Sequence, residues 1–408
     1  MTRPVRVYQE DWWPFRNLPS ALQRFERETG IKTELVWDKA GVGLIETMFD
    51  RMIRSFTDDD PPFDLVCCDE VMLRRFASLG RVLALNQLMG RDGITLADAT
   101  AETRRVVSFE GEVVGLPCIN VSNLLLYRRD LLDRYSLPVP QSWDEVKSVG
   151  TELQKAVRRD GAAEFYAFAS RGAGGGGHSV WTMGTMLGSH GGEWPTGNEL
   201  LEPLGEPFRA ALAAYVDLLR AVAPPDQGSI SFVELMRDFR AGRVGMIVEV
   251  GMEYAFLLRD DPGLAERSGV GLVPAGPAGR SPNLYTPPWA IPARSPVRGE
   301  AWELAKYLTS NRQLLEDGIL AEAIETSSMA VLYSPEFDRH FRPDLLGAVR
   351  ASRAVAFEKR PFGTLGIDAC VIIGDAVNRA IEGRIDVDTA LLQMHSGLSE
   401  LQREAVTS

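Results

Sequence analysis

Cysteine and histidine are scarce in this sequence, with four of each in 408 residues. No C-x-x-C pair joins Cys67, Cys68, Cys118 and Cys370, so zinc ribbons and thioredoxin-type redox sites have no support. Neighbouring cysteines rarely bond each other, because the geometry is strained. Cys67 and Cys68, in an apolar run, therefore read as small buried residues, and Cys118–Cys370 stays open as a loose disulfide possibility. His178, His190, His340 and His395 show no metal-ligand spacing, and no metal or cofactor is expected. A G-x-S-x-G nucleophile elbow is also missing. Basic residues are the minority, 44 against 56 acidic, for a net charge of −12. That balance argues against gripping nucleic acid, which needs a basic surface. No apolar run reaches the roughly 18 residues of a membrane span; the longest, around 244–258, is broken by Glu249 and Glu253. The first residues lead straight into a strand-like Val5–Tyr8 with no signal-peptide apolar core. As written, the chain reads either as cytoplasmic or as a mature secreted protein with an added start methionine.

What is present is alternation. Val5–Tyr8, Lys32–Trp37 and Phe63–Cys68 read as strands, separated by helices at Leu18–Glu28 and Leu44–Phe56. Gly30 ends the first helix. Asp69 and Glu70 open a helix to about Leu79. Strand–helix–strand with short loops predicts parallel pairing and an α/β layer fold. From Val106 the texture changes to a hairpin turning at Gly111, followed by a long strand-like Cys118–Tyr127 that reads as a crossing into a second domain. Ser142 caps a helix to about Arg159, with Asp144 and Glu145 at its positive end. Phe165–Ala169 is a strand leading into the glycine run 172–177, and His178–Met183 looks helical. Further helices are expected at Phe208–Val222, Phe232–Ala241, Glu300–Leu308, Arg312–Leu320, Ile367–Ile381 and Thr389–Gln402. Strands are expected over 244–248 and 270–273, with an extended, proline-rich Tyr285–Pro292.

Five phrases in this order resemble a known family. "PVPQSWDEV", "GEVVGLPCINVSNLLLYRRDLLDRY", "FRAGRVGMIVEVG", "YTPPWAIPARSPVRGEAWELAKYLTS" and "AIEGRIDVDTALLQMHSGLSELQRE" are similar to segments of the extracellular solute-binding proteins of ABC importers, the family of the maltose-binding proteins. The sequence departs from that pattern at Val250-Gly251-Met252-Glu253-Tyr254, where the family often has tryptophan, and at 324–328, which lacks the usual proline. The resemblance implies two α/β lobes joined by crossing hinge strands, as in type II periplasmic binding proteins. The expected division is 1–116 with 285–335 for the first lobe, and 117–284 with 336–408 for the second. It further implies a monomer that closes on a carbohydrate, polyol or related hydroxylated molecule and delivers it to ABC permease transmembrane subunits, in the periplasm or at the cell surface.

In open parallel sheets the ligand lies outside the carboxyl ends of the strands. The residues placed there are Trp12 and Trp13 after the first strand, Gly41 with Lys39 and Val42 after the second, and Asp69 and Glu70 after the third. The second lobe offers Asn120 and Asn123 on the crossing strand, Gly175, Gly176 and His178 in and after the glycine run, and Glu249 and Gly251 after a further strand. Tyr285 and Trp289 lie on the return crossing. Aromatic faces accept a sugar's C–H face, and carboxylates, amides and backbone N–H groups bond hydroxyls. Several of these residues carry two readings. Asp69-Glu70 is a ligand clamp or a helix cap with first-turn charge. Glu249 is a hydroxyl acceptor or one half of an interdomain salt bridge. Arg360 binds an acidic group or is a surface arginine. The glycine run is a loop approaching ligand closely or a floppy one. Trp143 and Trp302, on helices, and Trp37, on a strand, read as core. Two alternatives stay open: the same fold with a phosphorylated or acidic ligand, and a carbohydrate-active enzyme, since carboxylates are plentiful.

Overall fold

The computed structural model describes residues 3–39, 44–175, 178–194, 205–358, 360 and 363–407. The chain forms two compact units, Met1–Val121 with Tyr285–Leu346, and Ser122–Leu284 with Gly347–Ser408. Its strands are β1 (Val5–Asp11), β2 (Thr33–Lys39), β3 (Leu65–Cys67), β4 (Ser108–Phe109), β5 (Glu112–Val113), β6 (Leu116–Pro117), β7 (Val121–Arg128), β8 (Tyr166–Ala169), β9 (Val244–Val250), β10 (Ser268–Leu272), β11 (Leu284–Tyr285) and β12 (Pro288–Ala290).

The first unit holds a five-stranded sheet in the order β2-β1-β3-β12-β6. β1 runs parallel to β2 and β3, while β12 is antiparallel to both β3 and β6. The Leu18–Thr29 helix packs Leu18, Ala21, Leu22 and Phe25 inward, the i, i+3, i+4, i+7 stripe of an amphipathic helix. Gly30 stops it with φ 75° and bonds back to Glu26. Trp302 is fully buried and donates its indole N–H to Asp92 Oδ2 at 2.7 Å. Trp37, expected in the core, is only half-buried; β2 is the edge strand of the sheet, and among the described residues no strand pairs with its outer flank.

In the second unit β10, β7, β9 and β8 form one sheet in that order. β7 is antiparallel to β10 and β9, and β8 is parallel to β9. All seven residues of β9 are buried, the continuous apolar run of a strand covered on both faces. The Trp143–Arg159 helix is capped by Ser142, whose hydroxyl accepts the Glu145 N–H. Its inner face of Trp143, Val146, Val149, Leu153 and Val157 joins a core with Tyr215, Met246 and the Gly366–Ile381 helix. The Gly251–Asp260 helix follows β9 directly. The sequence reading missed it, because residues 251–257 are all buried and such a segment shows no amphipathic period.

All four cysteines are free and buried, which removes the Cys118–Cys370 disulfide. Cys118 Sγ instead donates to Pro287 O at 3.2 Å in the first unit, and Cys370 packs into the apolar core of the second.

Candidate functional site

In each unit, polar and aromatic residues gather at the carboxyl edge of the sheet, the edge where helix N-termini follow strands. In the first unit, the ends of β1 and β3 meet the start of β12. Trp12 and Trp13 are both half-buried. The Trp12 ring lies 6.3 Å from Tyr285 at 57° and 6.3 Å from Phe15, and the Arg16 guanidinium covers Trp13. Asp69 is a helix cap: its Oδ1 accepts the N–H groups of Val71 at 2.9 Å and Met72 at 3.3 Å. Glu70 is fully buried, and its Oε1 accepts the Thr286 N–H at 3.2 Å. Asn120 is buried too. Its Nδ2 donates to Thr103 Oγ1 at 2.6 Å, and its Oδ1 accepts the Thr286 hydroxyl at 2.8 Å. Burial, then the Asp69, Glu70 and Glu10 carboxylates, push the Tyr285 phenol well above its ordinary pKa, so it remains a neutral donor at physiological pH. Trp289 is 1% exposed, with Phe15 edge-on at 6.0 Å; its ring sits inside the unit. Gly41 lies outside the described residues.

In the second unit the antiparallel register sets Asn123, near the start of β7, opposite Val250 at the end of β9. Asn123 is fully buried, and among the described residues neither its Nδ2 nor its Oδ1 has a hydrogen-bond partner. Its backbone is held instead: its N–H donates to Asn283 O, and its C=O accepts the Ser352 hydroxyl, both at 3.4 Å. Asn283 in turn donates to Trp181 O at 3.2 Å. Glu249 is fully buried and takes two bonds from Arg171, at 2.7 and 2.5 Å. This partner belongs to the same unit, so the ion pair is not an interdomain one. Arg171 also lies 5.4 Å over the rings of both Trp181 and Phe232, where stacking adds to its charge pairing. Gly251 begins the helix after β9, and His178 immediately precedes the Ser179–Ser189 helix. Gly175 has φ 84° and its N–H is held by Asp375; Gly176 lies outside the described residues. Arg360 is not a surface arginine. It is 6% exposed and forked onto buried Glu358, at 3.0 and 2.9 Å.

The structure thus brings Trp12, Asp69, Glu70, Asn120 and Tyr285 together in one unit; in the other, Asn123 lies across from Val250, which Glu249 and Gly251 flank in the chain. Four residues at these edges were not singled out from the sequence. Gln9, on β1, is 3% exposed, and among the described residues its Oε1 has no hydrogen-bond partner. Thr286 ties Glu70 to Asn120. Arg171 neutralises Glu249 from 78 residues away. Phe357 bridges Asn283 through its backbone while its side chain is 49% exposed. Gln9 follows the buried Val7 and Tyr8 in a strand that also carries Arg6, Glu10 and Asp11, so nothing in the sequence set it apart; the others are made by tertiary pairing.

Comparison with known proteins places this arrangement in a lineage. The sequence pattern of the family described as bacterial extracellular solute-binding protein matches residues 15–314. The mannitol-binding protein of Pseudomonas aeruginosa is 25% identical over 219 residues, covering 53% of this chain and 49% of the relative. A probable ABC transporter-binding protein of Deinococcus radiodurans is 24% identical over 235 residues, 55% of this chain and 53% of its own. The chain spans about half the length of these curated relatives. Among solved structures, maltose-bound MalE3 of T. maritima superposes with a TM-score of 0.85 at 20% identity, covering 98% of this chain and 99% of that one. A solute-binding protein of Agrobacterium radiobacter in complex with ribitol gives 0.84 at 21% identity, over 98% and 100%. One from Agrobacterium vitis with bound D-mannitol gives 0.79 at 18%, over 99% of both chains. These superpositions fix the fold as that of the type II periplasmic binding proteins. With the family pattern covering most of its length, the chain belongs to the bacterial extracellular solute-binding proteins.

Proposed function

We propose that this protein captures a neutral polyhydroxylated molecule, a polyol or small sugar, for an ABC importer. The observation that carries this reading is the Asn123 amide, buried with no hydrogen-bond partner among the described residues. An amide offers two donors and an acceptor oxygen, and a hydroxylated guest presents both complements. Leaving such a group unmet costs about 1–3 kcal/mol, which ligand hydroxyls would recover. In the first unit the Trp12 face beside Tyr285 offers an aromatic plate. The nearby charges favour a neutral guest. The Asp69, Glu70 and Glu10 carboxylates act electrostatically on the Tyr285 phenol, and in the second unit Arg171 is matched by Glu249 and Arg360 by Glu358. An acidic or phosphorylated ligand thereby loses the arginine that motivated it. The relatives that bear mannitol and ribitol in their names agree with a polyol.

A ligand that binds one conformation better than another shifts the population toward it by its differential affinity, so capture proceeds by hinge closure. The loaded, monomeric protein then docks on the permease outside the cytoplasm, as an extracellular family member. Among the described residues no helix is long and apolar enough to cross a membrane. A thermal-shift and calorimetric screen of D-mannitol, ribitol and maltose against gluconate and mannitol 1-phosphate tests the reading. At a hundredfold excess over Kd a ligand adds about 2.7 kcal/mol of stability, so a neutral polyol should raise the unfolding temperature by several degrees. Stabilisation by the acidic compounds alone, or conversion of the guest to a product, would overturn it.

A further inference from the structure

We propose that Asp375 and Asn378 are positioning residues for ligand capture: from one face of the Gly366–Ile381 helix they clamp the glycine-rich segment 172–175, so that Arg171 before it and the Ser179–Ser189 helix after it are fixed before the guest arrives. The inference rests on the binding function proposed above. Glycine-rich chain is the most mobile kind when nothing holds it. Here it is held from two sides. Residues 375 and 378 are three apart and share a helix face. Asp375 Oδ1 accepts the Gly175 N–H at 2.8 Å, and Asn378 Nδ2 donates to Gly172 O at 2.9 Å and to Gly228 O at 2.7 Å. Ser179 Oγ closes the far end on Gly374 O at 3.0 Å. On the other flank the N–H groups of Gly172 and Ala173 both donate to Ile230 O, at 2.9 and 3.1 Å.

The approach is too close for side chains. A Cβ at Gly374 would stand 2.5 Å from Gly175 O, and one at Gly172 would stand 2.2 Å from Gln227 O. The segment leads from the Arg171–Glu249 pair to the helix that carries Trp181, and Trp181 O accepts the Asn283 amide beside Asn123. Fixing it in the free protein removes ordering cost from the binding step. Asp375 is itself exposed, so replacing it leaves the apolar core intact.

The test compares Asp375→Ala, Asp375→Asn and Gly374→Ala with the unsubstituted protein. Binding is measured by calorimetric titration with D-mannitol, ribitol and maltose, and hydrogen exchange of the Gly175 amide is measured without ligand. Asp375→Ala and Gly374→Ala should weaken binding about tenfold or more, by loss of preorganisation, and speed Gly175 exchange by a similar factor, with circular dichroism unchanged. Asp375→Asn keeps an oxygen acceptor for the Gly175 N–H and should bind within about threefold of the parent. A purely structural role would lower stability without this rescue and without changing the affinity of the folded fraction. Unchanged affinity in Asp375→Ala and Gly374→Ala overturns the clamp. If none of the three compounds binds the parent protein, the binding function itself fails; the exchange experiment then still decides whether Asp375 holds the segment, and an unaltered Gly175 rate refutes that.

Discussion

Asn123 and the Glu249–Arg171 pair show how differently a buried polar side chain can be used. Asn123 has no match among the described residues, so Asn123→Leu should abolish polyol binding while leaving the free protein as stable as before, or more so, because about 1–3 kcal/mol of unmet amide is removed. Titration calorimetry beside urea unfolding measures both, and a variant that loses stability yet keeps its affinity would return Asn123 to a structural role. Glu249 is matched, and its identity as a fully buried carboxylate decides what removal of the partner does. Arg171→Met strands a charge and should cost about 3–5 kcal/mol, whereas the double change to methionine at both positions should cost much less. Denaturant unfolding of these two variants, with Glu249→Met alone beside them, closes the cycle. The sequence marked Glu249 as exceptional, because a charge interrupts an apolar strand. It could not name the partner, since 78 residues separate the two and nothing local couples them. Arg360 was legible as a residue worth noting, but Glu358 beside it decides that its fork is already filled.

At the scale of elements, local chemistry was readable wherever a segment advertised its own ends. The Ser142 cap and the Gly30 stop lie where composition put them, and Asp69 is indeed a cap. The Gly251–Asp260 helix was illegible for the opposite reason, being buried on every side of its first turns, Glu253 included. The Asn311–Ala321 helix carries a prediction of its own. Asp317 on it accepts the Asn17 and Gln313 side-chain amides at 2.8 and 2.7 Å, yet burial pushes its carboxyl up to about 7. A carboxyl whose folded pKa exceeds its unfolded one binds more protons when folded. Its contribution therefore favours the fold at low pH, declines as pH rises above about 4, and has become a full penalty above about 7. Asp317→Asn keeps an oxygen for both amide donors and removes the charge. It should match the parent near pH 4 and exceed it at pH 8, by on the order of 2–4 kcal/mol, in urea unfolding at the two pH values. A gap independent of pH would show that this carboxyl is ionised throughout.

For the whole molecule, the α/β class followed from alternation alone, whereas the family came from five phrases in order and not from any one residue. All four cysteines are buried as free thiols, and burial pushes the thiols of Cys67 and Cys68 well above their ordinary pKa. A thiol reagent should therefore find no fast-reacting cysteine in the native protein and four after denaturation; prompt native labelling would contradict the packing described here. The threading of the chain has a consequence during synthesis. β12, from residues 288–290, lies between β3 and β6, fourth of the five strands of the first unit's sheet. Until the ribosome has released that short segment, some 170 residues after β6, two strands that will become neighbours of β12 wait with bare hydrogen-bonding flanks, an invitation to other chains. A nascent polypeptide wired this way cannot complete its first sheet until its last third emerges.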